Sequence, residues 1–345
     1  MEKRRNVAID AMRFVFICIL CPVHCPAVSP FPNGYIAVEF FFILAGFFIF
    51  RSFRVHPDTG TIDFTLKKMR RFFWPLVLSI GTLMLLDRKK FIYPHELTTD
   101  GILSQYFIRI PELMFCQGLG IVRPEGYVNV SLWFISVLLL GGGIYSLLRN
   151  VGHKAIALVI PAFVLLGITF LTSFGECGMI WRPQLAGSPL ECNLTRGVVE
   201  MGIGVMLAYF MEQKTKSINH HAKGVSALGI IGLLGVVLIA LSHNNYDTLS
   251  LFMIPMIVMA CISPRSLFQK VFKGKVWAWL GSLSMYMYFI HCFISASYYI
   301  LASKAPAIQE IPFPFLTLGY LLSCLVTAYL LKNVSEKLYS ITFKL

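Results

Sequence analysis

Charged residues are scarce in this chain of 345 residues, because Asp, Glu, Lys and Arg make up only 14% of it, against about 25% in soluble domains. Hydrophobic residues make up 57%, and the mean hydropathy is +0.70. Long hydrophilic segments are also missing, since the longest polar connection, 87–129, is too short for an appended catalytic domain. These shortages exclude a soluble globular protein. We predict a single all-α, polytopic membrane domain over 1–345.

Three other familiar patterns are absent. The first apolar segment runs into Pro22, His24 and Pro26 without a small-residue cleavage site, so we expect it to be retained. The nine cysteines contain no pair of Cys-x-x-Cys motifs and no Cys/His zinc spacing, so we expect no metal site. Cys177 and Cys192 share one predicted external loop, where they can form a disulfide in an oxidising compartment.

Long apolar runs dominate what is present. A helix that crosses a bilayer core needs about 20 apolar residues. Ten runs approach that length: 7–27, 35–53, 72–87, 130–148, 155–173, 196–211, 226–242, 247–263, 277–297 and 313–331. We therefore predict about ten transmembrane helices. A further segment, 102–121, carries Arg109, Pro111 and Glu112, so we interpret it as a short, re-entrant or surface helix.

The positions of the cations predict the orientation of the chain. With the N-terminus in the cytoplasm, 21 of the 30 Lys and Arg residues fall on the cytoplasmic side and 7 on the other, while Arg13 and Arg196 lie within spans. This bias favours an N-in, C-in topology by the positive-inside rule. The formal net charge of +13 is then mostly a topology signal. The expected partner is the lipid bilayer, and nucleic acid is not expected, because its binding needs a clustered basic face on a soluble module.

Arg13 and His24 are two ionisable residues inside the first apolar run. A membrane-buried ionisable residue is costly and points to a functional site. In an uninterrupted α-helix, the steps of about 100° per residue return His24 to the face of Arg13, about 16 Å farther along the axis. Pro22 and Pro26 can kink or end that helix first.

Several polar residues are predicted at the depth of His24. Counted at about 1.5 Å per residue, Glu39 lies at a similar level in the outer half of the membrane. A carboxylate beside an imidazole can make the histidine a working general base, so Glu39 and His24 form a candidate dyad. The alternative is a structural cluster in which Glu39 pairs with Arg196 or His291. The other residues near this level are Ser131 and Trp133.

A second group of charges is predicted at the cytoplasmic end. Asp10 precedes Arg13 by three residues, a spacing at which helical side chains meet. Four cations precede the third span: Lys67, Lys68, Arg70 and Arg71. This basic cluster is either a topology anchor that attracts anionic lipid headgroups or a phosphate site, because guanidinium forks match phosphate oxygens.

At these residues the chain resembles the acyltransferase type 3 family of multi-pass membrane acyltransferases. The first span is similar to the family's opening motif, an acidic residue followed by Arg13, ten residues and His24. The segment that begins at Gly34 resembles the family's Gly-Val-acidic-Phe-Phe-Val-Leu-Ser-Gly-Phe motif, with Ala45 in place of Ser.

Four further matches follow in family order. Lys68 and Arg71 occupy the two basic positions of an Arg-x-x-Arg loop that precedes an apolar-Pro motif, here ending at Pro75. This loop departs from the family in its Lys and in one extra residue before Pro75. The remaining matches are 132–138, 196–204 and 281–291.

The resemblance implies a site and a reaction. It implies that an acyl group, usually acetyl, moves from cytoplasmic acyl-CoA to a hydroxyl of an extracytoplasmic acceptor, commonly a glycan, at a bacterial inner membrane. His24 and Glu39 would be catalytic, and Arg13 with the basic cluster would bind the phosphates of acyl-CoA. The supporting residues would be Asp10, Trp133, Arg196 and His291. The external loops indicate no particular sugar, and both direct transfer and an acyl-histidine intermediate are open.

The competing hypothesis is a multi-pass transporter or glycan exporter, in which Arg13, Glu39 and His24 line a proton or substrate path. Transporters often contain internal repeats with broken helices at corresponding positions in the two halves. Here the key ionisable residues concentrate in the first third of the chain without a matching second half. This asymmetry favours the enzyme.

Overall fold

The computed structural model describes residues 5–25, 28–56, 58–86, 110–117, 127–147, 153–173, 192–243, 246–305, 308 and 310–343. Within these ranges the chain is all-helical, without a β-strand, as predicted. The main helices are α1 Val7–Leu20, α2 Ala37–Val55, α3 Thr61–Leu86, α4 Trp133–Leu147, α5 His153–Ser173, α6 Cys192–Gln213, α7 Ala222–Leu241, α8 Ser250–Ile262, α9 Lys275–Lys304 and α10 Phe313–Thr342. Two short helices, Thr215–His220 and Leu267–Val271, lie between them.

Each of the ten predicted apolar runs forms a helix. Among the described residues, eight helices are long and apolar enough to cross a membrane: α1 with the turn that follows it, α2, α3, α4, α6, α7, α9 and α10. Two apolar helices are shorter, Ile156–Thr172 and Asp247–Ile262. The chain is therefore an integral, multi-pass membrane protein. The count of ten spans and the N-in, C-in orientation stay predictions.

The interruption of the first helix corrects one expectation. The α-helical part of α1 ends at Leu20, and a 3₁₀ turn, Cys21–His24, carries Pro22 at its start. A 3₁₀ turn rotates by about 120° per residue rather than about 100°, so four residues shift His24 by roughly 80° from the face extrapolated from Arg13. The two residues lie at opposite ends of one segment, but the assumption of one shared helical face is wrong.

Close helix contacts set the positions of these residues. A Cβ atom at Gly281 of α9 would lie 2.4 Å from the Cβ and backbone oxygen of Asp10 in α1. Small residues let helix backbones approach in this way. Because α1 and α9 also meet at His24 and His291, the two helices run parallel. Their contact extends from Asp10 and Gly281 at one end to His24 and His291 at the other.

A second close contact joins α2 to α6. A Cβ atom at Gly46 would lie 1.9 Å from the backbone oxygen of Met201, and one at Gly204 would lie 1.9 Å from that of Ile43. Both glycines therefore permit direct contact between backbones, which brings the polar residues of α2 and α6 together.

Part of the predicted re-entrant segment 102–121 is described. Glu112 is buried and accepts hydrogen bonds from the backbone N–H groups of Val128, at 3.1 Å, and Asn129, at 2.9 Å. This segment is thereby tied to the start of α4. The rest of 102–121 lies outside the described residues, as does Cys177 and with it the proposed pairing with Cys192.

Candidate functional site

Two histidines from distant parts of the sequence meet beside α1. His24 ends the 3₁₀ turn after α1, and His291 lies in α9, with their ring centroids 5.0 Å apart and their planes inclined at 52°. His291 is fully buried, whereas His24 is partly exposed. His24 is therefore the member of the pair that a substrate can reach.

The protonation pattern of His291 follows from its hydrogen bond. Its Nδ1 lies 2.7 Å from the backbone oxygen of Tyr288. A carbonyl oxygen only accepts hydrogen bonds, so Nδ1 is assigned the proton. In the neutral ring Nε2 then carries a lone pair, and this atom lies 3.6 Å from the sulfur of Cys292.

A polar network ties the start of α4 to α9 beside the histidines. The Ser131 hydroxyl donates to the Asn129 side-chain oxygen at 2.7 Å, and the Asn129 amide donates to the backbone oxygen of Phe289 at 3.1 Å. The Tyr288 hydroxyl donates to the backbone oxygen of Ser131. Depth counting predicts Ser131 here. It missed Asn129 and Tyr288, although Asn129 lies two residues before Ser131, which is predicted at this depth, and Tyr288 lies three residues before His291, a predicted site residue.

The structure also assembles a possible metal-ligand set. The ligand atoms of His24, His291 and Cys292 lie within 4.8 Å of one another. Sequence spacing gave no indication of this set, because His24 and the pair in α9 are distant along the chain.

Glu39 takes part in a buried ionic cluster. Its carboxylate lies 3.1 Å from Nη2 of Arg196, and it accepts a hydrogen bond from the Ser250 hydroxyl through its other oxygen. Among the contacts of the described residues, none joins Glu39 to His24. Of the two alternatives raised by the sequence, the geometry corresponds to the pairing with Arg196. Glu39 has no direct contact through which to act on the His24 ring.

The ionic cluster contains further groups that sequence reasoning missed. Nε of Arg196 lies 2.8 Å from Glu200, one helical turn away in α6, and both side chains are buried. The guanidinium of Arg196 lies 5.8 Å from the ring centroid of Tyr35, whose hydroxyl donates to Asp247 at 2.9 Å. The spacing of Arg196 and Glu200 is a helical pairing signal, whereas Asp247 comes from a distant segment.

Trp133 is held by aromatic packing. Its ring centroid lies 5.9 Å from that of Phe42 in α2 and 6.5 Å from that of Phe134. These contacts place Trp133 in the core between α2 and α4. A role for it beyond packing stays a prediction.

The charged cluster at the other end of α1 matches the sequence expectation in part. Arg13 Nη1 lies 3.6 Å from Asp10, as the spacing of three residues predicts. Arg5 also pairs with Asp10. Arg71 of α3 lies close enough to Arg13 and to Tyr286 of α9 to interact electrostatically with both. Arg13 and Arg71 come from separate helices but lie within electrostatic range of each other.

The other three cations of the basic cluster take different positions. Lys67 and Arg70 are exposed on α3. The Nζ of Lys68 lies 5.1 Å from the ring centroid of Phe64, a cation–π distance. These side chains therefore lie on more than one face of α3, and of the four cations Arg71 is the one that interacts electrostatically with Arg13.

Comparison with known proteins gives one family and one distant relative. The family model described as an acyltransferase domain matches residues 6–332. A protein named serine/alanine racemase, from Enterococcus gallinarum, is 22% identical over 343 residues, which cover 89% of this chain and 43% of the racemase. The chain thus spans less than half the length of that relative. No solved structure matches the chain.

Proposed function

Because the chain belongs to the acyltransferase type 3 family, we propose that it is a multi-pass membrane acyltransferase that transfers an acetyl group from cytoplasmic acetyl-CoA to a hydroxyl of a glycan or glycolipid. The reaction would take place in a bacterial inner membrane, with the acceptor on the extracytoplasmic side. The observation that carries this proposal is the presence of two polar sites at the two ends of one segment. Arg13 and Arg71 lie at one end, and His24 and His291 lie at the other.

The site at the Arg13 end of α1, called the inner site below, has a net charge that favours binding of the donor phosphates. Arg5 and Arg71 each lie close enough to Arg13 to interact with its guanidinium electrostatically, and Asp10 is shared between Arg5 and Arg13. Glu336 lies close enough to Tyr286 to interact with it electrostatically. With three cations and two carboxylates, this site keeps a positive charge that can bind phosphate, and Arg forks suit phosphate oxygens. Coenzyme A carries a 3′-phosphate and a pyrophosphate, so it offers several such groups.

The separation of the two sites suits a long donor. His24 lies eleven positions after Arg13, seven of them in the α-helix and four in the 3₁₀ turn, which corresponds to about 18 Å along the axis at about 1.5 Å and 2.0 Å per residue. The extended pantetheine arm of coenzyme A can cover such a separation along α1. The thioester would then lie near His24 while the phosphates stay at the cytoplasmic end.

His24 is suited to take a proton from the acceptor. Among the described residues, no hydrogen bond engages its ring, which is partly exposed. In the proposed step His24 accepts the proton of the acceptor hydroxyl, and the hydroxyl oxygen attacks the thioester carbonyl carbon. The carbon–sulfur bond breaks as the ester bond forms. The proton passes from His24 to the departing sulfur, which leaves as the free thiol of coenzyme A.

Glu39 has a positioning role in this proposal. Its carboxylate is committed to Arg196 and Ser250, so it is not available to orient the His24 ring. The cluster joins α2, α6 and the start of α8, and it stabilises the part of the bundle beside Trp133. His291 packs on His24 and supports its ring.

The proposal is tested with purified full-length protein in detergent, supplied with labelled acetyl-CoA and a panel of glycan acceptors. We expect loss of the thioester and transfer of label to an acceptor hydroxyl, both dependent on His24. A reconstituted protein that moves a labelled glycan across vesicles without consuming acetyl-CoA would instead support the transporter hypothesis.

A further inference from the structure

Three side chains that commonly bind zinc converge beside α9. The ligand atoms of His24, His291 and Cys292 lie within 4.8 Å of one another. The Cys292 sulfur lies 3.6 Å from Nε2 of His291. In a tetrahedral site with Zn–N bonds of about 2.0–2.1 Å and a Zn–S bond of about 2.3 Å, nitrogen and sulfur are separated by about 3.6 Å. This pair is therefore already spaced as two ligands of one zinc ion.

The orientation of His291 also suits it to bind a metal ion. Its Nδ1–H donates to the backbone oxygen of Tyr288 at 2.7 Å. Histidine ligands of metals usually donate their other ring N–H to a carbonyl or carboxylate, which fixes the tautomer and the ring plane. In the neutral ring the Nε2 lone pair then faces the Cys292 sulfur. The backbone of α9 thus presents His291 as a metal ligand.

Two of the three side chains in the cluster, those of His24 and Cys292, can be reached from outside the protein. His291 is fully buried, while His24 and Cys292 are partly exposed. The cluster provides three protein ligands, two nitrogens and one sulfur, a number that leaves the fourth position of a tetrahedral ion open to water. Nitrogen and sulfur ligands favour zinc and other thiophilic cations over Mg²⁺ or Ca²⁺.

We propose that His24, His291 and Cys292 bind Zn²⁺ or a similar thiophilic divalent cation, and that the bound ion inhibits acyl transfer. Binding forms two nitrogen–metal bonds and one sulfur–metal bond, and the Cys292 thiol releases its proton to solvent. The His24 lone pair is then donated to the metal, so it cannot accept the proton of an acceptor hydroxyl. The inhibition rests on the function proposed above, whereas metal binding does not.

Cobalt provides a spectroscopic probe of the site. The full-length protein in detergent is treated with a chelator, exchanged into metal-free buffer and titrated with Co²⁺. We expect one equivalent to give a thiolate-to-cobalt charge-transfer band. Cys292→Ser should abolish the band, and His291→Asn should weaken Co²⁺ binding at least tenfold. Cys18→Ser is the matched control, because it removes another partly exposed thiol in the segment of His24, and it should keep the band.

The outcomes separate the possibilities. Absence of the band from the parent protein, or an equal band in Cys292→Ser, would overturn the proposal and leave Cys292 with its hydrogen-bond contacts to His291 and Ser131 only. If Cys292→Ser does not fold, Cys292→Ala serves the same comparison. In the activity assay Zn²⁺ should lower the acyl-transfer rate and a chelator should restore it. A band with an unchanged rate would overturn the inhibition, whereas a band in a protein without transferase activity would count against the proposed function alone.

Discussion

His24 and His291 face each other with ring centroids 5.0 Å apart, and this contact joins the turn after α1 to α9. The same two segments also meet at Asp10 and Gly281, toward the charged end. Two contacts along a parallel pair fix the register of α1 against α9. Because α1 and α9 pack along their whole shared length and the histidine pair is one end of that contact, replacing His24 should leave the packing of α1 largely intact.

The first prediction concerns His24 itself. His24→Ala should lower the rate of acyl transfer by about 10²- to 10⁴-fold, the usual contribution of a general base. The measurement is the initial rate of thioester loss with acceptor present. His243→Ala is the control, since His243 is exposed and lies outside the site. A monodisperse His24→Ala protein with normal turnover would contradict the assignment, and an acyl-histidine trapped in the parent would favour a covalent route.

The second prediction concerns Arg13. Arg13→Ala should raise the apparent KM for acetyl-CoA more than it changes the KM for the acceptor, and Arg13→Lys should restore only part of the affinity because it loses the bidentate fork. Steady-state kinetics with each substrate varied in turn provides the measurement. Arg265→Ala serves as the control, because Arg265 is an exposed arginine outside the inner site. An unchanged KM with a lowered Tm would assign Arg13 a structural role with Asp10.

The third prediction distinguishes members of the basic cluster. Replacing Lys68 and Arg71 with Gln should raise the KM for acetyl-CoA and flatten its salt dependence, since exposed charges are screened within about 8–10 Å at ordinary ionic strength. Acetyl-pantetheine lacks the coenzyme A nucleotide phosphates and should be used equally by variant and parent. Arg71→Gln should have a larger effect than Lys67→Gln, because Arg71 is close enough to Arg13 to interact with it electrostatically.

A topology anchor would behave differently from a phosphate site. The double variant would then keep the parent's KM and salt dependence. It would instead insert in mixed orientations, which protease protection in membrane vesicles can detect.

The fourth prediction concerns Glu39 and Arg196. Their 3.1 Å contact is buried on both sides. Removing one partner of a buried ion pair costs about 3–5 kcal/mol when the other charge is left uncompensated. Arg196 keeps its 2.8 Å contact with Glu200 when Glu39 is replaced, so Arg196→Ala, which leaves two buried carboxylates unpaired with it, should lower the Tm more than Glu39→Ala, and Glu39→Gln should lower it least. The residual activity of folded Glu39→Gln should keep the parent's KM for acetyl-CoA. A collapse of kcat at an unchanged Tm would show that Glu39 takes part in the chemistry.

Residue counting predicts position along a helix better than it predicts neighbours. The sequence places His24, Glu39 and His291 at one depth, because the rise per residue is nearly constant. It leaves open which side chains meet around the bundle, since that depends on helix order and rotation. The structure separates these residues into a histidine pair and a Glu39–Arg196 pair. Local spacing did predict the contact of Asp10 with Arg13.

The residues that sequence reasoning missed depend on distant contacts. From the sequence alone, Cys292 is predicted to be an ordinary packing cysteine, and only the fold shows that it lies near His24. Asp247 reaches the ionic cluster through Tyr35, which lies far from it in the chain. The end of α1 at Leu20 depends on a local proline, and the sequence did indicate that possibility.

The backbone contacts at Gly46 and Gly204 hold α2 and α6 together as one rigid unit. A Cβ atom at either position would overlap the opposite backbone at 1.9 Å, and interfaces packed this closely resist sliding. The ion pair between Glu39 and Arg196 stabilises the same interface. We therefore expect the α2–α6 pair to keep its geometry during turnover, and α1 to be held against it by the stacked rings of Phe16 and Phe40, whose centroids lie 4.0 Å apart.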